Sequence, residues 1–414
     1  MTHPPFVHPD EIRARFSSAM SDMYQDEVPL YSALLELVAD INNQTMSQQP
    51  ELTRHLRQTG EIERLDMERH GAIRVGTAAE LATLRRLFAV MGMVPVGYYD
   101  LAPAGVPVHS TAFRAIHETS LQTCPFRIFT SLLRLELIEQ PELRQQAADI
   151  LAKRVIFTPR AIELITQHET SGGLTSNEAD DFITQSLETF RWHNQATVSA
   201  DVYQQLHDQH RLIADVVAFK GPHINHLTPR TLNIDAVQIA MPAHQIPPKA
   251  VIEGPPPRRC PILLRQTSFK ALEEDVSFFA TDGQIIQGHH TARFGEIEQR
   301  GAALTAKGRN LYDGLLQAAQ DQLQVPANEK NAPQYMAILN EKFSQFPDDY
   351  PTMRAEKLAF FRYFPTEKGL NKKLGNTTMI TTQLQSHLPT ANCKKGLSFS
   401  INELATINYH CKHV

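Results

Sequence analysis

Two of the eighteen histidines in this 414-residue chain sit in the same local pattern: His70 is followed four residues later by Arg74, and His226 by Arg230. In a strand, alternate side chains share a face, so His70, Ala72 and Arg74 point one way, as do His226, Thr228 and Arg230. Four residues of strand span roughly 13 Å, a gap that a metal-bound anion would fill if the histidine held the metal and the arginine held the far end. A third candidate lies in HHTARFGEIEQRG, where Glu296 follows Gly295. A carboxylate in mid-strand is costly to bury unless it meets a cation or a metal. Two imidazoles and one carboxylate on one face of a ferrous ion leave three positions open, enough for a chelating 2-oxo acid together with dioxygen. Pattern alone leaves alternatives: His289 and His290 are also candidate ligands, His223 lies three residues before His226, and Glu296 could instead pair with Arg293 or Arg300. Arg74 precedes a helix start, where a cation opposes the positive end of the dipole, and an anion between the two would remove that conflict.

These residues need elements to position them. Apolar spacings of three and four over residues 9–66 predict helices that bury one stripe each. From Arg69 the period changes: HGAIRVGT reads as a strand, TAAELATLRRLFAVMGM as a helix opened by a Thr77/Glu80 capping box, and VPVGYYDLA and VHSTAFRAI as further strands. A helical block is expected from about Phe126 to Phe219, beginning with RIFTSLLRLELI and including a helix with Thr158 as cap and Pro159 at its first position. The earlier order then returns, with HINHLTPRTL as strand, NIDAVQIAMPAHQ as helix, and AVIEGPPP, CPILLRQTSFKAL and VSFFATDG as strands before HHTARFGEIEQRGAAL. The repeat of element order, together with the two His-x-x-x-Arg patterns, suggests a duplicated unit. The expected fold is α+β: two βαβββ-like halves forming a curved, partly closed sheet around a metal site, with N-terminal helices and a large helical insertion. Its divisions are 1–66 (N-terminal helices), 67–125 (first half of the β core), 126–219 (helical insertion), 220–325 (second half), 326–370 (a C-terminal helical and strand region) and 371–414 (an atypical tail).

Composition narrows the function. A formal charge of −5, from 40 basic and 45 acidic residues, gives no bulk positive field to hold nucleic acid. No apolar stretch is long enough for a bilayer and the N-terminus has no secretory h-region, which predicts a cytoplasmic protein without a membrane partner. Cys124, Cys260, Cys393 and Cys411 have no C-x-x-C spacing, against both a disulfide framework and a thiolate zinc site.

The segments ERHGAIRVGTAAEL, GPHINHLTPR, HTARFGEIEQRG and ALTAKGRNLYD resemble the 2-oxoadipate dioxygenase/decarboxylases, also called hydroxyglutarate synthases, a family related to the vicinal oxygen chelate fold. The likeness runs from near the N-terminus to about Leu370. It implies an Fe(2+) cofactor held by His70, His226 and Glu296, with Arg74 binding a substrate carboxylate. It also implies a reaction of 2-oxoadipate with O2, giving 2-hydroxyglutarate and CO2 in lysine catabolism. Two other readings stay open: a zinc, manganese or nickel enzyme of the same superfamily that works without oxygen, and a protein that binds metal or oxo acid without turnover. The second is kept open by the tail Asn371 to Val414, which carries five lysines, no arginine and one acidic residue and does not resemble the family's closing segment. A frame change or truncation is the expected origin of this tail.

Overall fold

The computed structural model describes residues 6–280 and 284–361, and the expectation for the tail lies outside them. Three helices open the chain, α1 (Pro9–Glu27), α2 (Pro29–Gln48) and α3 (Pro50–Gln58), each with proline in its first turn, where the missing amide costs no helical bond. α1 buries Ile12, Phe16, Met20 and Met23 on one stripe. Its Arg13, fully buried, is tolerated because its guanidinium donates to Asp10 at 2.8 Å and to the carbonyls of Met91, Ser120 and Cys124.

Strand β1 (His70–Val75) alternates as expected, with Ile73 and Val75 in the core and Ala72 and Arg74 on the other face. α4 (Ala78–Val90) follows, and its capping box is formed: Thr77 accepts from the Glu80 amide at 3.1 Å and Glu80 accepts from the Thr77 amide at 3.1 Å. The same Glu80 carboxylate accepts both arms of Arg154 at 2.9 Å, which ties the helix start to a distant segment. β2 (Val94–Asp100) and β3 (Val108–Arg114) are the next strands, and the short α5 (Glu118–Thr123) leads into β4 (Arg127–Leu133).

β4 corrects the expected helix at RIFTSLLRLELI. It lies between β3, to which it runs antiparallel, and β1, to which it runs parallel. Its sequence RIFTSLL mixes apolar and polar residues without strict alternation, and periodicity cannot tell so short a segment from part of a buried helix. The block to Phe219 then contains α6 (Pro141–Ala152), α7 (Pro159–Ser171), α8 (Ser176–Leu187), an unexpected β5 (Gln195–Ser199), α9 (Ala200–Gln209) and α10 (Arg211–Val217). Thr158 caps α7 as its sequence predicts, accepting from Ala161 at 3.1 Å.

β6 (Ile224–Thr228) and α11 (Ile234–Ala240) reproduce the opening of the first half, and β7 (Leu264–Ser268), β8 (Glu273–Phe279), β9 (Ile285–Thr291) and β10 (Glu296–Arg300) follow. AVIEGPPP is not a strand: its three prolines cannot donate to a ladder, and it makes one isolated bridge, Glu253 to Gln266. Gly254 there has φ +105°, and a Cβ would meet the Leu264 carbonyl at 2.3 Å.

The architecture is therefore mixed α and β, but no sheet among the described residues is closed. The strands form an open sheet in the order β2-β3-β4-β1-β6, a pair β10-β7, and a sheet β5-β8-β9. Among the described residues, one compact unit runs through Pro248 and resumes over Ser268–Ile297, whereas Lys249–Thr267 and the stretch from Glu298 to Phe361 form a second. The first unit's core joins Phe16, Phe88, Ile128, Ile224 and Leu227, each such side chain contributing ~1.5–3 kcal/mol by burial. The second has its own core on α12 (Ala306–Leu323) and α13 (Ala332–Phe343), with Leu316, Leu339 and Phe343 buried, and also contains α14 (Tyr350–Ala355). No described helix is long and apolar enough to cross a membrane.

Candidate metal centre

β1 and β6 pair antiparallel so that His70 lies opposite Thr228 and the small Ala72 opposite His226. A register irregularity between Ala72 and Ile73 keeps Ile224 and Leu227 in the core while His226 and Thr228 face the other way. The two imidazole rings stand 5.5 Å apart at 90°. Glu296, at the start of β10, completes the group: its Oε1 lies 3.0 Å from His70 Nε2. The Thr228 hydroxyl sits between them, 3.1 Å from His70 Nε2 and donating to Glu296 Oε1 at 3.2 Å. All four residues are buried.

The donor set fits a divalent metal. Each of His70, His226 and Glu296 offers one ligand atom, and these atoms lie within 4.8 Å of one another. Two imidazoles and a carboxylate suit ferrous, manganous or zinc ions alike. Aromatic walls surround them: Phe129 stands edge-on to His70 at 5.4 Å and Phe294 stacks on His226 at 4.7 Å.

The alternatives left open by the pattern find other partners. His290 and His223 turn to Asp215, at 3.0 and 3.5 Å, and His289 is exposed beside Asp275. Arg293 pairs with Glu27 at 2.6 Å and with Glu274, and Arg300 pairs with Glu298. Arg230 pairs with Glu61, so the two His-x-x-x-Arg patterns diverge at the arginine. Arg74 instead lines a pocket with His210, Leu212, Thr291 and Phe294. Phe294 thus borders both this pocket and the His226 ring.

Several neighbours were not singled out from the sequence. Tyr24 on α1 places its hydroxyl 3.0 Å from the carbonyls of both Asn225 and Phe294, the residue before His226 and the second residue before Glu296. Glu68 accepts from Ser21 at 2.8 Å and Tyr31 at 2.7 Å, and burial pushes its carboxyl up to about 7 against those hydrogen bonds. Asp215, in the apolar run of α10, accepts from Arg74 Nη1 at 2.8 Å. Burial alone would raise its pKa, but His223, Arg74 and His290 outweigh that and hold the carboxyl well below its usual range. A lone acid in LIADVVAF was the available signal.

The family model for 2-oxoadipate dioxygenase/decarboxylase matches residues 16–394, so the likeness continues beyond Leu370. A 2-oxoadipate dioxygenase/decarboxylase of Pseudomonas putida is 69% identical over 365 residues, covering 88% of this chain and 78% of the relative. The crystal structure of a hydroxyglutarate synthase from Pseudomonas putida in complex with 2-oxoadipate superposes with TM-score 0.88 at 59% identity, over 99% of this chain and 96% of that one. A putative glyoxalase superfamily protein from Ralstonia eutropha JMP134 shares the fold alone, with TM-score 0.54 at 17% identity over 72% of this chain and 85% of that one. The named relatives support an oxygenase/decarboxylase enzyme.

Proposed function

Because this chain belongs to the 2-oxoadipate dioxygenase/decarboxylase family, we propose that it converts 2-oxoadipate and O2 to 2-hydroxyglutarate and CO2, with iron(II) held by His70, His226 and Glu296. The observation that carries this reading is the convergence of those three buried donors beside a pocket lined by Arg74. When bound there, iron(II) supplies the redox chemistry through which dioxygen and the oxo acid react. The chain's own residues do the rest. Glu296 supplies the negative charge that two neutral imidazoles lack. Thr228 donates its hydroxyl to Glu296 Oε1 and so orients the carboxylate ligand. Phe129 and Phe294 keep the surroundings apolar, which strengthens charge interactions inside. Arg74 takes a substrate carboxylate, and its planar fork allows a bidentate contact that a lysine could not copy. The balance closes: the C1–C2 bond breaks and the substrate's own C1 carboxylate leaves as CO2, so both atoms of O2 remain in 2-hydroxyglutarate, one in its new carboxylate and one in its hydroxyl. Such a reaction fits lysine catabolism in the cytoplasm.

The test is anaerobic reconstitution with Fe(II), then oxygen uptake and product analysis with 2-oxoadipate. Equal molar oxygen uptake, CO2 release and 2-hydroxyglutarate formation is the expected result. Metal and oxo-acid binding without oxygen uptake would sink the dioxygenase reading and favour oxygen-independent chemistry or simple binding.

A further inference from the structure

Arg74 would be a poor recognition element if its long side chain were loose, and the structure shows what restrains it. Asp215 is buried in α10 among apolar neighbours, a costly place for a carboxylate unless its oxygens are satisfied. Both are. Oδ2 accepts from Arg74 Nη1 at 2.8 Å, and Oδ1 lies 3.0 Å from His290 Nε2. His290 is itself held, with Nδ1 2.9 Å from the Tyr203 hydroxyl and its ring stacked on Trp192 at 5.9 Å and 10°. The Trp192 ring also meets His223 edge-on at 4.6 Å. The His290 contact immobilises the carboxylate, and although Asp215 itself also lines the pocket, it engages Arg74 through one nitrogen, which leaves the other guanidinium donors for a ligand.

We propose that Asp215 is a positioning residue: it aims Arg74 into the pocket so that the site selects a 2-oxo acid bearing a second carboxylate over one that lacks it. The inference rests on Arg74 being the carboxylate-binding residue. Two simpler roles make different predictions. A buried ion pair kept for stability alone is weakly motivated, because such pairs often add little net stability, and it would affect all ligands alike. A purely electrostatic role has the opposite sign, since Asp215 cancels the positive charge of Arg74 and removing it would tighten anion binding. Positioning predicts weaker dicarboxylate binding despite the gain in positive charge, because a misdirected fork forfeits its paired hydrogen bonds.

The experiment is calorimetric titration of the Fe(II)-loaded protein, without oxygen, with 2-oxoadipate and with 2-oxohexanoate, the same chain length without the second carboxylate. In Asp215→Asn, the Kd for 2-oxoadipate is expected to rise about tenfold while that for 2-oxohexanoate stays unchanged. In an Arg74→Gln background, Asp215→Asn should have no further effect on the ratio. Should Asp215→Asn not fold, Asp215→Glu keeps the charge, displaces it by one methylene, and is expected to lose the same discrimination. Unchanged or tighter 2-oxoadipate binding, equal loss for both ligands, or a wild type that does not discriminate would overturn the proposal. A wild type that discriminates but consumes no oxygen would end the dioxygenase reading and leave the role of Asp215 standing.

Discussion

At the scale of single residues, the site depends on which groups share a proton and which share a metal. Glu296→Gln keeps the shape but removes the anionic donor, so iron content after reconstitution should fall sharply, and unchanged stoichiometry would remove Glu296 from the ligand set. Thr228→Val deletes the hydroxyl that spans His70 and Glu296. Metal affinity should drop about 10-fold or more, as for other groups that orient ligands, with Thr228→Ser restoring it; competition with a chelator measures both. The buried histidines set the acid limb of stability. Burial pushes His223 down to about 3 and His55 down to about 4, from an ordinary 6.5. Both are neutral when folded and take a proton more readily when unfolded, so the unfolded state binds more protons below pH 6.5. Stability is fully present above that pH and is lost as pH falls toward the folded values. Glu68 acts oppositely, since a carboxyl raised to about 7 from 4.5 favours the folded state less as pH rises through that interval. Urea midpoints for His55→Gln should therefore show a flatter decline below pH 6.5 than those for the parent.

At the scale of elements, α1 is more than packing. Tyr24 holds the backbone ahead of both His226 and Glu296, so Tyr24→Phe should cost ~0.5–1.5 kcal/mol and also weaken metal binding, whereas a purely structural tyrosine would lower stability alone. Gly295 makes a related demand, because a Cβ there would meet Phe269 at 2.4 Å and Tyr31 and Leu34 of α2 at 2.8 and 2.9 Å. Gly295→Ala forces either these packed side chains or the start of β10 to shift, and reconstituted iron content should fall if β10 is what moves. The sequence made β1, α4 and the histidine face legible because alternation and the capping box are local signals. β4 was illegible because RIFTSLL lacks strict alternation and runs straight on into RLELI, so that over a short window it reads equally as helix. Glu296 could be reached through the cost of burying a carboxylate, and the family resemblance lent it the same role. For Asp215 the lone acid in LIADVVAF hints at a buried carboxylate, but its pairing with Arg74 was not legible, since the two lie 141 residues apart and no local pattern joins them.

At the scale of the molecule, all of the residues assigned to metal and substrate belong to the first compact unit, which contains His70, Arg74, Asp215, His226 and Glu296. The second unit's core, built on Leu316, Leu339 and Phe343, contributes no proposed ligand. A metal that binds the folded state but not the unfolded one stabilises by mass action, about 2.7 kcal/mol at a hundredfold excess over its Kd. That stabilisation belongs to whatever cooperative unit must open to release the ion. Adding Fe(II) without oxygen should therefore slow amide exchange in β1 and β6, whose pairing sets His70 against Thr228, and leave exchange in α12 and α13 unchanged. Hydrogen exchange read by mass spectrometry, with and without a chelator, decides this directly. Equal protection of α12 and α13 would mean that the two units open together and that the metal holds the whole chain closed. No protection in β1 or β6 would count against the three-residue site itself.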